Sequence, residues 1–246
     1  MGFASLSDSG SSSPVVELTC YGKANTTVAG DSRSAAVPEL YWDGVLRMGY
    51  SLSWLAVRGK SPQVVRDELG FRPTGEREEF PESKLSAVEM PNGWYLIVSQ
   101  RSELVASDAA MQRLSSSGGE LVTCFVEEHV MFSSATGWKD GSKTWSVFHN
   151  AQDRRDHLDT QGKLPPVFSS IVEDLKTKQR EADANKRRVD FIFDVPVALA
   201  HKLVGYRYDR DVPGLNGAAF EVLLGEVPDD PPPPKKSSFL KKLFGS

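Results

Sequence analysis

From Met48 onward the apolar positions fall into short runs separated by turn and cap residues, whereas residues 1–47 show no sustained period of two or 3.6. The run "MGYSLSWLAVRG" is rich in aromatic and branched side chains and predicts a strand. "KSPQVVRDELG" follows as a helix, with Ser61 to cap it, Pro62 in its first turn, Val64, Val65 and Leu69 as its stripe and Gly70 as its stop. In "LSAVEMPNGWYLIVSQ" two apolar runs flank Pro91, Asn92 and Gly93, a hairpin signal, and Trp94 to Val98 is apolar enough for a strand covered on both faces. Ser107 or Asp108 caps a short helix, "DAAMQRLS", released by Gly118 and Gly119.

The pattern then predicts one long strand, "ELVTCFVEEHVMFSSA", a turn at Asp140-Gly141 and a partner strand "KTWSVFHN". After Pro165-Pro166, Val167, Phe168, Ile171, Val172 and Leu175 trace one helical face; beyond Leu175 the helix is polar all round and is expected to project or fray. "VDFIFD" reads as another strand. "DVPVALAHKLVG" repeats the helix grammar, with Asp194 as cap, Pro196 in the first turn, Val197, Leu199, Ala200 and Leu203 as stripe and Gly205 as stop, and "AAFEVLLGE" is a last strand. So many hairpins exclude a doubly wound parallel sheet. The expected fold is α+β, a mixed or mainly antiparallel sheet with helices packed on it.

Composition sets the boundaries. Residues 1–47 are expected to be a disordered extension, with Met48 a possible natural start; residues 48–227 form a single α+β domain, and residues 228–246 a Pro-rich, basic-amphipathic tail. With 39% hydrophobic and 25% charged residues the chain supports one sizeable core, and a net charge of -4 argues against a domain that grips nucleic-acid phosphates. Two cysteines in unrelated contexts, Cys20 and Cys124, suggest neither a disulfide framework nor a thiolate zinc site; a reducing, cytoplasmic setting is expected, with Cys124 as a buried thiol. No apolar run is long enough to span a membrane, and no phosphate-binding glycine motif supports a nucleotide, so no cofactor is expected.

The candidate chemistry lies in "CFVEEHVMF". On a continuous strand Glu127 and His129 share one face and Glu128 takes the other, so the three do not converge. With Asp140 and Gly141 as turn residues, Phe132 is expected opposite His149 and Thr136 opposite Trp145. That register puts Cys124, Val126, Val130, Phe132, Trp145 and Val147 on one apolar face together with Glu128 and His149, those two about 13 Å apart along the strands. The spacing matches no metal motif, so no metal is expected. Glu127 and His129 read as solvated decoration, and catalysis by Glu127, Glu128, His129 or His149 is the alternative.

Three further features bear on binding. Trp138, in the loop-like "TGWKDGSKTW", is weighed as a contact anchor against simple lid packing, while Trp145 is expected in the core. "GYRYDRD" mixes aromatics and arginines as base-stacking surfaces do, but its aspartates argue against nucleic acid. In the tail, Phe239, Leu240, Leu243 and Phe244 share one helical face among Lys235, Lys236, Lys241 and Lys242, suited to a partner's groove or to weak contact with an anionic membrane surface.

The segments "SLSWLAVRGKSP", "PTGEREE", "GWYLIV", "CFVEEHVMFSS" and "FDVPVALAHKLVGYR" resemble an uncharacterised family of bacterial cytosolic proteins, over Tyr50 to about Tyr208. The resemblance implies no activity and no catalytic residues. The expected function is a non-enzymatic protein-binding module, an inhibitor or immunity-type partner. The alternatives are a small hydrolase or metal-dependent enzyme at Glu128 and His149, and a membrane-peripheral adaptor held by the tail.

Overall fold

The computed structural model describes residues 49–100, 108–116 and 118–225. The expected extension, the tail with its four apolar residues, the Met48 boundary, Cys20 and Ser107 lie outside the described residues. In chain order the elements are β1 (Ser51–Arg58), α1 (Pro62–Leu69), β2 (Arg72–Glu78), β3 (Leu85–Glu89), β4 (Tyr95–Gln100), α2 (Asp108–Ser115), β5 (Glu120–Glu127), β6 (Phe132–Lys139), β7 (Ser142–Asn150), β8 (Asp159–Gly162), α3 (Phe168–Ala184), α4 (Asp194–Val204) and β9 (Phe220–Leu224). The strands form one nine-stranded sheet in the order β2-β9-β3-β4-β1-β5-β6-β7-β8, with every neighbouring pair antiparallel. The α+β architecture expected from the hairpins is the one observed.

Helices cover both faces, which explains why the central strands lack simple alternation. On one face Leu52, Trp54, Ala56, Leu96, Val98, Val122 and Cys124 pack against α3 and α4; on the other Leu55, Val57, Ile97 and Leu121 pack against Val65 of α1 and Met111 and Leu114 of α2. Burial also pushes the Cys124 thiol up, so it holds its proton. The α1 grammar works as read: the Ser61 hydroxyl accepts from the Val64 amide at 3.4 Å, Pro62 opens the helix and Gly70 closes it at φ 74°. The turn at Pro91-Asn92-Gly93 also forms, and Asn92 Nδ2 donates to the Val204 carbonyl at 2.7 Å, tying the β3–β4 hairpin to the end of α4.

Several expectations are corrected. The long strand is a hairpin, β5 and β6, folded back at Glu128–Met131 with Met131 at φ 52°. In the next hairpin Asp140 and Gly141 both take positive φ, as a tight antiparallel turn requires. Thr144, however, is an extra residue between the pairs Trp138↔Lys143 and Gly137↔Trp145, and this bulge shifts the register by one. His149 therefore faces Ser133, Phe132 faces Asn150 and Thr136 faces Ser146. Phe132 moves to the opposite face from His149, and Val130 stands exposed in the turn. Trp145 is buried as expected, its ring lying where a Cβ on Gly137 would be, 2.1 Å from Nε1.

"VDFIFD" is not a strand. Its backbone is satisfied by side chains instead: Asp190 Oδ1 accepts from the amides of Ile192 and Phe193, and Gln179 Oε1 accepts from the Phe191 amide at 2.7 Å. The same Gln179, with Ala182, is buried, so the second half of α3 packs rather than projecting. Asp194 is the first residue of α4 and not its cap; the helix starts without a side-chain cap, and Asp190 instead holds the two amides just before it, those of Ile192 and Phe193. Two strands have no apolar pattern to announce them: β2 and β8, the sheet edges, whose side chains are exposed along almost their whole length.

Candidate functional site

The four titratable candidates are distributed over three separate arrangements. At the end of β5, Glu127 Oε2 accepts from the Ser51 hydroxyl at 2.6 Å, and its Oε1 accepts from the backbone amide and Nδ1 of His129 at 3.1 and 2.7 Å. Glu127 and His129 thus meet, though by the hairpin turn and not by strand alternation. The His129 side chain is 53% exposed, and the pair braces the turn.

Glu128 sits where β5 leaves the core. Its Oε2 accepts from the Tyr50 amide at 3.0 Å and its Oε1 from the Tyr208 hydroxyl at 2.7 Å, and the Tyr50 and Tyr208 rings lie 5.0 Å apart. Burial and the bonded carboxylate push the Tyr208 phenol up, so this hydroxyl is a donor that keeps its proton.

His149 is 0% exposed and touches neither Glu127 nor Glu128 by any hydrogen bond or ion pair. Its Nδ1–H donates to the His157 carbonyl at 2.7 Å, while Nε2 lies 3.2 Å from Asp190 Oδ2 in an ion-pair contact too oblique for a hydrogen bond. Burial raises the Asp190 pKa, but the facing imidazole and the amides of Phe193 and Ile192 outweigh it and hold the carboxyl below its usual range. The His157 ring accepts at Nδ1 from the Asn150 amide at 3.1 Å, which fixes its own proton on Nε2 when neutral. His149, fully buried, and Asp190, partly buried, therefore form a tie between β7 and the α3–α4 connection.

Beside the Glu128 tie the surface opens into a groove of about 1200 Å³. One side is the start of β1 and the end of β4, from Tyr50 and Leu52 to Gln100; the other sides are the β2–β3 connection at Glu79–Lys84 and the stretch Tyr206–Gly217 after α4. Its floor is apolar, with Leu52, Tyr206 and Phe220 buried. Tyr206 is held by an edge-on contact with Trp54 at 5.8 Å, and burial pushes its phenol up. Between the two tyrosines Arg207 turns away to pair with Asp209 at 2.6 Å and Asp194 at 2.9 Å. Although burial disfavours the charge, these carboxylates hold the guanidinium protonated, and the pairing leaves Tyr206 and Tyr208 to line the groove. At the rim Phe80 is 53% exposed and Tyr50 49%, and Glu79, Glu82 and Asp211 make no ion pair among the described residues.

Trp138 is not part of this surface. It belongs to β6 rather than to a loop, is 7% exposed, packs in the core shared with α1 and α2, and lies under Lys143 Nζ at 5.3 Å. Among the described residues no group of three or more His, Cys, Asp or Glu side chains is placed to hold a metal ion, and no helix is long and apolar enough to cross a membrane. The groove residues escaped sequence reasoning because they come from four distant stretches; the mixed aromatic and charged "GYRYDRD" was the one signal pointing toward them.

Comparison of the chain with protein-family models, with curated proteins and with solved structures finds no match.

Proposed function

We propose that this domain is a non-enzymatic protein-binding module and that the groove between Tyr50, Phe80 and Tyr208 is its binding surface. One observation carries the reading: a wide groove with a buried apolar floor exposes two large aromatic rings at its rim, the composition that anchors a partner's side chains. The residues considered for catalysis support it too. Glu127, Glu128 and His149 each make ties within the fold, and the Tyr208 hydroxyl, bonded to Glu128 at the groove wall, is shifted away from acid catalysis. An intracellular, bacterial setting belongs to the same proposal, resting on the composition and the resemblance described above.

The test is a photo-crosslinking amino acid introduced at Phe80 and, as control, at the exposed Lys176 of α3. Crosslinked proteins recovered from the source cell at position 80 and not at 176 are expected. Equal yields at the two positions, or none at either, would reject the groove as a binding surface.

A further inference from the structure

We infer that the groove is also the docking site for the C-terminal peptide of the same chain, Ser238 to Phe244, which seats its apolar residues on the aromatic floor and holds the groove against outside partners. The inference rests on the groove being a binding surface and adds who competes for it.

Chemistry and reach both support this occupant. The peptide "SFLKKLF" offers Phe239, Leu240, Leu243 and Phe244 on one side when helical, matching a floor of Leu52, Tyr206 and Phe220 and a rim of Tyr50 and Phe80. Its lysines, Lys241 and Lys242 within the peptide and Lys235 and Lys236 before it, meet a rim whose Glu79, Glu82 and Asp211 have no ion-pair partner among the described residues. Lys84 and Arg210 also line the groove, away from whose charges the peptide's cations are expected to orient.

The reach follows from topology. β9 begins at Phe220 in the groove and runs to Leu224, so the described chain ends at Gly225, about 17 Å from the groove at the usual rise of a strand. Residues 226–238 include the proline run Pro231–Pro234 and, fully extended, reach about 40 Å. The connection is long enough to return to the groove and short enough to keep the peptide near it at roughly millimolar effective concentration. At that concentration a peptide of modest intrinsic affinity occupies the groove for much of the time, and a protein partner must displace it.

The probe is a fluorescein-labelled synthetic peptide of residues 228–246, titrated by anisotropy against the full chain and against a full chain carrying Phe239→Ser, Leu240→Ser, Leu243→Ser and Phe244→Ser. The substituted chain is expected to bind the peptide about tenfold more tightly, because its own tail no longer competes. Adding Phe80→Ala, at an exposed site, or Glu79→Lys with Glu82→Lys is expected to abolish that gain by about the same factor. Equal binding to natural and substituted chains, or binding indifferent to the groove changes, overturns the proposal. So does labelled peptide that binds vesicles of anionic lipid but not the protein. If position 80 still crosslinks partners equally in natural and substituted chains, the binding function stands and the competition by the tail falls; if neither peptide nor partner engages, both fall.

Discussion

Two polar knots lie on the sheet face covered by α3 and α4. His149 is fully buried and lies 3.2 Å from the partly buried Asp190, with each partner also bonded to backbone; Glu128 and Tyr208 make a shorter contact, 2.7 Å, at the edge of an open groove. A polar side chain buried in the core costs desolvation unless it meets partners within the fold, so such a group is specialised for holding elements together. A pair at a groove wall can position the aromatic ring that carries it, here Tyr208 beside Tyr50, for whatever enters. Similar residue types thus serve architecture in one place and presentation in the other, and burial decides which.

The comparison is broken most directly at His149 and Asp190. His149→Ala removes the imidazole that faces Asp190 and leaves a cavity in the core, and is expected to cost about 2–5 kcal/mol, read as a lowered urea midpoint at unchanged slope. Asp190→Asn is milder, about 1–3 kcal/mol, since the amide oxygen still accepts from the backbone. Its pH signature is sharper. Asp190 has a depressed pKa in the fold, so its stabilisation is complete above the ordinary carboxylate value of about 3.9 and is lost as pH falls through the folded value. Melting temperature should therefore fall in acid less steeply for Asp190→Asn than for the natural chain; parallel curves would deny Asp190 that role.

At the groove the expected effects on stability shrink while those on binding grow. Tyr208→Phe removes one hydrogen bond to Glu128 and is expected to cost about 1 kcal/mol, with Glu128 still accepting from the Tyr50 amide. Phe80→Ala should change stability by less than about 0.5 kcal/mol, because the ring is already half in water, yet reduce partner capture severalfold. A variant at Phe80 that melted as early as His149→Ala would erase the distinction between the two regions.

What was legible in the letters follows the same division. β1, β4 and β5 announce themselves because both their faces are buried, so nearly every position must be apolar. β2 and β8 are held by backbone bonds on one side with side chains in water, and nothing in "RPTGERE" or "DTQG" is constrained to show it. The turn at Glu128–Met131 was hidden because it contains no Gly, Pro, Asn or Asp; a methionine takes the left-handed conformation instead. The bulge at Thr144 has no composition signal either, and one such residue reversed the face assigned to Phe132. The groove was illegible for a plainer reason: it exists where Tyr50, Phe80, Gln100 and Tyr208 meet, and their nearness is a product of the finished sheet.

The place of β9 carries a consequence for the newborn chain. This strand, close to the end of the domain in sequence, lies between β2 and β3, which are near its beginning. While ribosomal synthesis proceeds, β3 pairs with β4 on one side only, and its other edge stays open until residues 220–224 emerge. Completion of the sheet is thus timed by translation, and the interval before the last strand arrives is when a chaperone has most to protect.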